Sequence, residues 1–200
     1  MALFKDWLIG KKLEYHLSSK ENQMIDGVFA LLRENALQQP QVPVHRDYHS
    51  RNLMICDNTP GILDFQDAVC GPITYDLVSL LKDCYIVWPE EKVLQWLHAY
   101  ADKARAAQLT TATNAELENW FHLMGMQRHL KASGIFARLA LRDNKLSYLD
   151  DIPRTVQYII DACTKDERFE SFGKWLSTTL MPLIESAIVT PKATSETAPL

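Results

Sequence analysis

Glycine is scarce in this 200-residue chain, seven in all, and nowhere do its glycines gather into a loop whose backbone N–H groups could cradle a phosphate. Four cysteines, Cys56, Cys70, Cys84 and Cys163, form no Cys-x-x-Cys pair or other ligand spacing. That excludes a zinc ribbon and a disulfide framework, and leaves reduced, mostly buried thiols as the expectation. There is no excess of basic charge: 21 Lys and Arg stand against 25 Asp and Glu, for a net charge of -4. With a pI near 5.9 the chain offers no broad positive field, so nucleic acid and an anionic membrane are set aside as main partners. No apolar run approaches the ~20 residues of a membrane span. The opening stretch, MALFKDWLIGKKLEYH, lacks the basic start, apolar centre and cleavage site of a signal peptide. A cytoplasmic protein acting on a small molecule is the class that remains.

What is present is ample apolar material, 47% of the residues, arranged mostly at helical spacing. Leu3, Phe4, Trp7 and Leu8 make one stripe; Ile25, Val28, Phe29, Leu32 and Leu37 make a second, with Ser19 as its expected start. Pro40 and Pro43 then break the period. VPVH, NLMIC and GILDF read as short strands of a small β-meander or hairpin, with Asn58, Pro60 and Gly61 at a turn. From Ile73 the helical period returns, through YDLVSLLKDCYIVW, EEKVLQWLHAYADKARAAQL, AELENWFHLMGMQRHLKASGIFARLAL, IPRTVQYIIDAC and FGKWLSTTLMPLIESAI. The five tryptophans, Trp7, Trp88, Trp96, Trp120 and Trp175, sit among these apolar residues and are expected mainly in the core. The expected fold is mainly α with a small β-hairpin, as one unit over residues 1–189, followed by a disordered tail over 190–200.

Chemistry concentrates in one segment. His45, Asp47 and Asn52 fall in the order H-x-D-x-x-x-x-N, and Asp64 closes an apolar strand-like run shortly after. Phosphoryl transfer needs such a set: one carboxylate to orient the acceptor hydroxyl and take its proton, and an amide oxygen with a second carboxylate to hold magnesium on the phosphates. Asp47 is thus the acid-base candidate, and Asn52 and Asp64 are the candidate metal ligands. Strands on both sides would make the loop ends rigid.

The segment resembles the catalytic loop and metal-binding strand of the aminoglycoside phosphotransferase and choline kinase superfamily. His45, Asp47, His49 and Asn52 match its first signature; Asp64, Gly71, Pro72, Asp76 and Leu77 match its second. Phe65 and Gln66 follow Asp64, so the glycine of a protein-kinase DFG is absent and no activation-loop switch is implied. The resemblance implies the C-terminal lobe of the protein-kinase-like fold, with ATP as phosphate donor and Mg2+ as cofactor. The wording VHRDYHSRNLM, ILDFQDAVCGPITYDLVSLLKDCYI and RHLKASGIFARL is similar to bacterial amino-sugar kinases. Those enzymes phosphorylate the anomeric hydroxyl of N-acetylmuramate or N-acetylglucosamine in cell-wall recycling.

Several further residues gain an expectation from that resemblance. His45 and His49 are read as bracing the loop by hydrogen bonds, and Arg46 as a salt-bridge or surface residue. Asp76 either satisfies backbone N–H groups of the loop or is simply an acid at a helix N-terminus. Asp67 and Asp83 are candidates for sugar hydroxyls, with a solvated helix face as the default for Asp83. Arg128, His129 and Lys131 form a basic cluster read as a solvated face, with Arg128 a candidate for the carboxylate of N-acetylmuramate. An aminoglycoside or choline-type acceptor would instead call on acids such as Glu116, Glu118, Asp143, Asp150 and Asp151.

Members of the superfamily hold ATP with an N-terminal lobe of roughly a hundred residues or more. Here 44 residues precede His45, and their pattern is helical. The expectation is therefore a lone C-terminal lobe lacking the nucleotide-binding lobe, weakly active or inactive by itself, or a non-catalytic module pairing with a separate lobe. The second form predicts an exposed apolar face.

Overall fold

The computed structural model describes residues 1–57 and 59–189; the expected tail and the turn residue Asn58 lie outside them. The chain opens with a wide helical segment, Phe4–Lys12, closed by the Leu13 N–H on the Leu8 carbonyl, five residues back. It buries Phe4, Leu8 and Ile9 against α4 (Asn114–Asp143), the thirty-residue central helix. At the crossing a Cβ on Gly134 would meet the Leu3 carbonyl carbon at 2.4 Å, so a side chain there would push the two segments apart.

Helix α1 (Ser19–Gln38) starts one residue earlier in its capping than the sequence indicates, because Ser18 and Glu21 form a reciprocal capping box. Glu21 also accepts from the Tyr15 hydroxyl and the Trp175 indole, each at 2.7 Å, tying both ends of the chain to one carboxylate. The Ser18 hydroxyl first, and then the Tyr15 hydroxyl, hold its pKa down to about 2. Helix α5 (Ile152–Cys163) lays Ile152, Val156 and Ile159 into the same core, with His129 of α4 stacked on its Tyr158 at 4.8 Å. Helix α6 (Glu170–Trp175) runs through a wide turn, Leu176–Leu180, into α7 (Met181–Val189). The widening falls just before Pro182, whose missing N–H would interrupt a regular ladder.

The β part differs from a simple meander. Strand β1 (Gln41–Val44) pairs antiparallel with β4 (Val69–Pro72), and β2 (Leu53–Met54) pairs with β3 (Gly61–Ile62). One hairpin is thus nested inside another, and the strands are shorter than their apolar runs. Gly71 is needed here: a Cβ would fall 2.6 Å from a Val44 methyl. The nested arrangement makes residues 45–52 and 63–68 the two crossings between the pairs.

Helix α2 (Tyr75–Leu81) also stops well before Trp88. The Asp83 carboxylate accepts from the Tyr85 N–H at 3.0 Å, a local turn that competes with further helix. Helix α3 (Glu90–Ala106) starts after Pro89. Of the five tryptophans only Trp175 is buried; Trp88 and Trp96 are partly exposed and meet edge to face. Two of the four cysteines, Cys56 and Cys70, are exposed, because they lie on the β segment rather than in the bundle.

Candidate active site

The two crossings bring the predicted residues together. Val44 ends β1, and the next two backbone N–H groups, of His45 and Arg46, both point at the Asp76 carboxylate, at 2.5 and 3.0 Å. Arg46 adopts φ 75, a left-handed turn that a non-glycine residue takes only where its surroundings enforce it. Asp47 follows at the mouth of a pocket of about 160 Å³. Asn52 donates its amide N–H to the Asp47 carbonyl at 2.9 Å, which fixes the amide and leaves its oxygen available.

The second crossing meets the first directly. Register places Asn52 opposite Leu63, whose N–H donates to the Asn52 carbonyl at 3.0 Å. Asp64 is the next residue, exposed and with φ 64; one of its oxygens accepts from the Gln66 amide at 2.5 Å. Arg46 reaches across to the Asp67 carbonyl at 3.3 Å. Asp67 itself is exposed and does not line the pocket beside Asp47.

Two expectations about the loop change. The ring nitrogens of His45 and Nδ1 of His49 are buried with no hydrogen-bond partner among the described residues, so these side chains do not brace by hydrogen bonds. They pack by their rings instead, His45 on Tyr48 at 5.9 Å and His49 on Tyr85 at 5.6 Å. Burial, and next the charge of Arg128, holds the His49 pKa below its ordinary value. Asp83 is not on a solvated face. It is 1% exposed and accepts from the Ser50 N–H and hydroxyl at 3.0 and 2.6 Å, locking the loop after β1 to the turn after α2.

The solvated-face reading of the basic cluster is corrected in the same way. Arg128 is 8% exposed and lines the pocket, and His129 is fully buried, its Nε2–H on the Lys82 carbonyl at 2.9 Å. The far wall comes from α4 residues at successive helical turns, Arg128, Lys131, Ile135 and Leu139, with Tyr75, Tyr85 and Tyr148 closing the sides. Sequence reasoning missed Ser50, Tyr85 and Tyr148; the polar interruption at Lys82 and Asp83 within an apolar run was the signal for the first two. Arg51 sits 3.6 Å over the Tyr85 ring, and burial pushes that phenol up to about 12.

Among the described residues no three His, Cys, Asp or Glu side chains form a ready-made metal cage. Magnesium bound with a polyphosphate needs only one or two protein oxygens, the rest coming from phosphate and water. The Asn52 amide oxygen and the exposed Asp64 carboxylate, one on each crossing, are oxygen donors of the kind such a site would use.

Asp47 thus lines the pocket from the loop after β1, and Asn52 and Asp64 lie on the two crossings, joined by the Leu63 N–H on the Asn52 carbonyl. The chain belongs to the phosphotransferase enzyme family, whose family model matches residues 2–115. Among curated proteins it is similar to the N-acetylmuramate/N-acetylglucosamine kinase of Neisseria meningitidis serogroup B, 49% identical over 158 residues, 78% of this chain and 47% of that protein. The proteins of the same name from Pseudomonas putida and Pseudomonas aeruginosa are 43% and 41% identical over 88% of the chain, which covers 52% and 53% of their lengths. The chain spans about half the length of these curated relatives. No helix among the described residues is long and apolar enough to cross a membrane.

Proposed function

We propose that residues 1–189 are the acceptor-binding and catalytic lobe of a kinase that phosphorylates the anomeric hydroxyl of N-acetylmuramate or N-acetylglucosamine, in the cytoplasm and within cell-wall recycling. The observation that carries this reading is the convergence of Asp47, Asn52 and Asp64 on two crossings tied together through the Asn52 carbonyl. In this reading Asp47 orients the sugar hydroxyl and takes its proton. Asn52 and Asp64 hold magnesium, and MgATP, when bound, supplies the phosphoryl group. Asp76 keeps the loop in shape through the His45 and Arg46 N–H groups, and Asp83 does so through Ser50. The catalytic contribution is positioning and charge, since phosphoryl transfer asks for little covalent help.

A cationic acceptor, as in an aminoglycoside or choline-type kinase, fits less well. Three of the five acids named for it are engaged elsewhere: Glu116 caps α4, Glu118 pairs with His98, and Asp143 pairs with Arg142. The pocket carries Arg46, Arg128 and Lys131 against Asp47 and Asp83. The reading also calls for a nucleotide-binding lobe. Its seat would be the hairpin, where Met54, Ile55, Ile62, Leu63 and Phe65 are all exposed. A non-catalytic module pairing with a separate lobe is the remaining alternative.

Phosphorus NMR of MgATP with N-acetylmuramate, N-acetylglucosamine, kanamycin and choline tests the reading. The chain is assayed alone and fused behind the N-terminal half of the Neisseria meningitidis relative. Sugar 1-phosphate from the fused protein is expected, with little or none from the chain alone. Transfer to kanamycin or choline instead redirects the acceptor. No transfer from either folded protein favours the non-catalytic module.

A further inference from the structure

The guanidinium of Arg128 is buried without an anion. Its one hydrogen bond among the described residues is from Nη1 to the Cys84 sulfur, at 4.0 Å, a weak acceptor at long range. Among the described residues no carboxylate stands within ion-pair distance of it, although surface arginines of the same chain, Arg105, Arg142 and Arg168, each have one. A buried charge left in this state is costly, and such groups are normally paired. The field of Arg128 is felt across the pocket, where it acts on both His49 and Cys84.

The surroundings say where the missing anion would come from. Arg128 stands on the pocket wall one helical turn from Lys131, whose one hydrogen bond among the described residues is to the Tyr75 hydroxyl, at 3.4 Å. Asp83, which lines the same pocket, already accepts from Ser50 and Tyr85. Asp47 is the group reserved for the reacting hydroxyl. Farther along the same wall the lining turns apolar, with Ile135, Phe136 and Leu139 and the Tyr148 ring stacked on Phe136 at 5.5 Å. An occupant thus meets a hydroxyl-orienting carboxylate at one point, an apolar wall at another, and an unsatisfied planar cation between them.

We propose that Arg128, assisted by Lys131, is a specificity residue that binds a carboxylate carried by the sugar acceptor, so that the pocket selects an acid-bearing amino sugar over its neutral counterpart. This rests on the sugar-kinase reading and deepens it. The guanidinium fork suits a carboxylate bidentately, whereas an ammonium in its place would keep the charge and lose the geometry. N-Acetylmuramate, with its carboxylate on a short ether arm, presents the required group; N-acetylglucosamine does not.

The test is calorimetric or ligand-observed NMR binding to the chain itself, with three probes: N-acetylmuramate, its carboxyl methyl ester, and N-acetylglucosamine. The acid is expected to bind roughly tenfold or more tightly than the ester, the scale of one charge-assisted contact. Arg128→Met should bring the acid down to the ester while leaving N-acetylglucosamine unchanged, and Arg128→Lys should recover part of the difference. Equal binding of acid and ester by the unaltered chain overturns the proposal and leaves the sugar-kinase reading standing; that comparison needs no variant to fold. If Arg128→Met weakens MgATP and leaves the acid-to-ester ratio alone, the guanidinium serves the nucleotide and the proposal falls. Failure of all three probes to bind the folded chain removes the sugar reading and the proposal together.

Discussion

The helical bundle and the β segment are held in opposite ways. In the bundle, Phe4, Leu8, Ile25, Leu32, Met126, Leu130, Val156, Ile159, Phe169 and Phe172 form one buried apolar cluster. Between Gln41 and Pro72, by contrast, Val44 is the one core apolar side chain among the described residues. There the shape comes from carboxylates gripping backbone N–H groups and from two residues held at positive φ. The lesson is a division of labour: burial sets stability, which is non-directional, while directional polar bonds set the positions of a few atoms. Damage to one region should therefore show in a different observable from damage to the other.

The largest effects test that separation as a pair. Asp47→Asn, in the fused protein, is expected to lower the transfer rate by about 10²–10⁴-fold, the usual worth of a positioned acid-base group, with stability unmoved to within ~0.5 kcal/mol. Phe172→Ala removes a ring buried to 1% and stacked on Trp175, and should cost about 3–5 kcal/mol in denaturant unfolding while the rate per folded molecule holds. If either variant moves both observables equally, the division fails. Asp76→Ala is the intermediate case: two N–H groups lose a charged acceptor, so about 2 kcal/mol of stability should go together with at least tenfold in rate.

A smaller, bundle-specific effect is acid sensitivity. Burial holds His122 and His129 down to about 3, well below the ordinary histidine value near 6.5. Between those values the unfolded chain binds protons that the folded chain refuses, so the stability present above pH 6.5 declines as the pH falls toward 3. Urea midpoints at pH 7, 5 and 4 should fall in that order, and His129→Gln should flatten the slope. The smallest effect belongs to the α1 cap: Ser18→Ala should cost about 1 kcal/mol and leave transfer untouched.

The bundle's helices were readable because apolar residues recur at the helical period and every turn of α4 obeys it. The site was readable in its chemistry, since His45, Asp47, Asn52 and Asp64 lie in one short segment, but not in its topology. Short strands carry too little pattern to declare a partner, and the pairing of β1 with β4 across 24 intervening residues leaves no local mark. Asp83 and Arg128 were misread for a related reason. A charged residue on a helical stripe looks solvated until the fold places other polar groups over it, and those groups, Ser50 over Asp83 and Cys84 beside Arg128, lie far off in sequence.

The nesting of the hairpins sets how the site can fail. Both crossings depart from β1 and β4, and the four-residue register of that pair is their common frame. A slip by one residue would invert the alternation of both strands, turning Asp47 from the pocket and Asp64 from Asn52 in one step. The loops that carry Asp47 and Asp64 are thus two ends of a single clasp, and a clasp is either fastened or open.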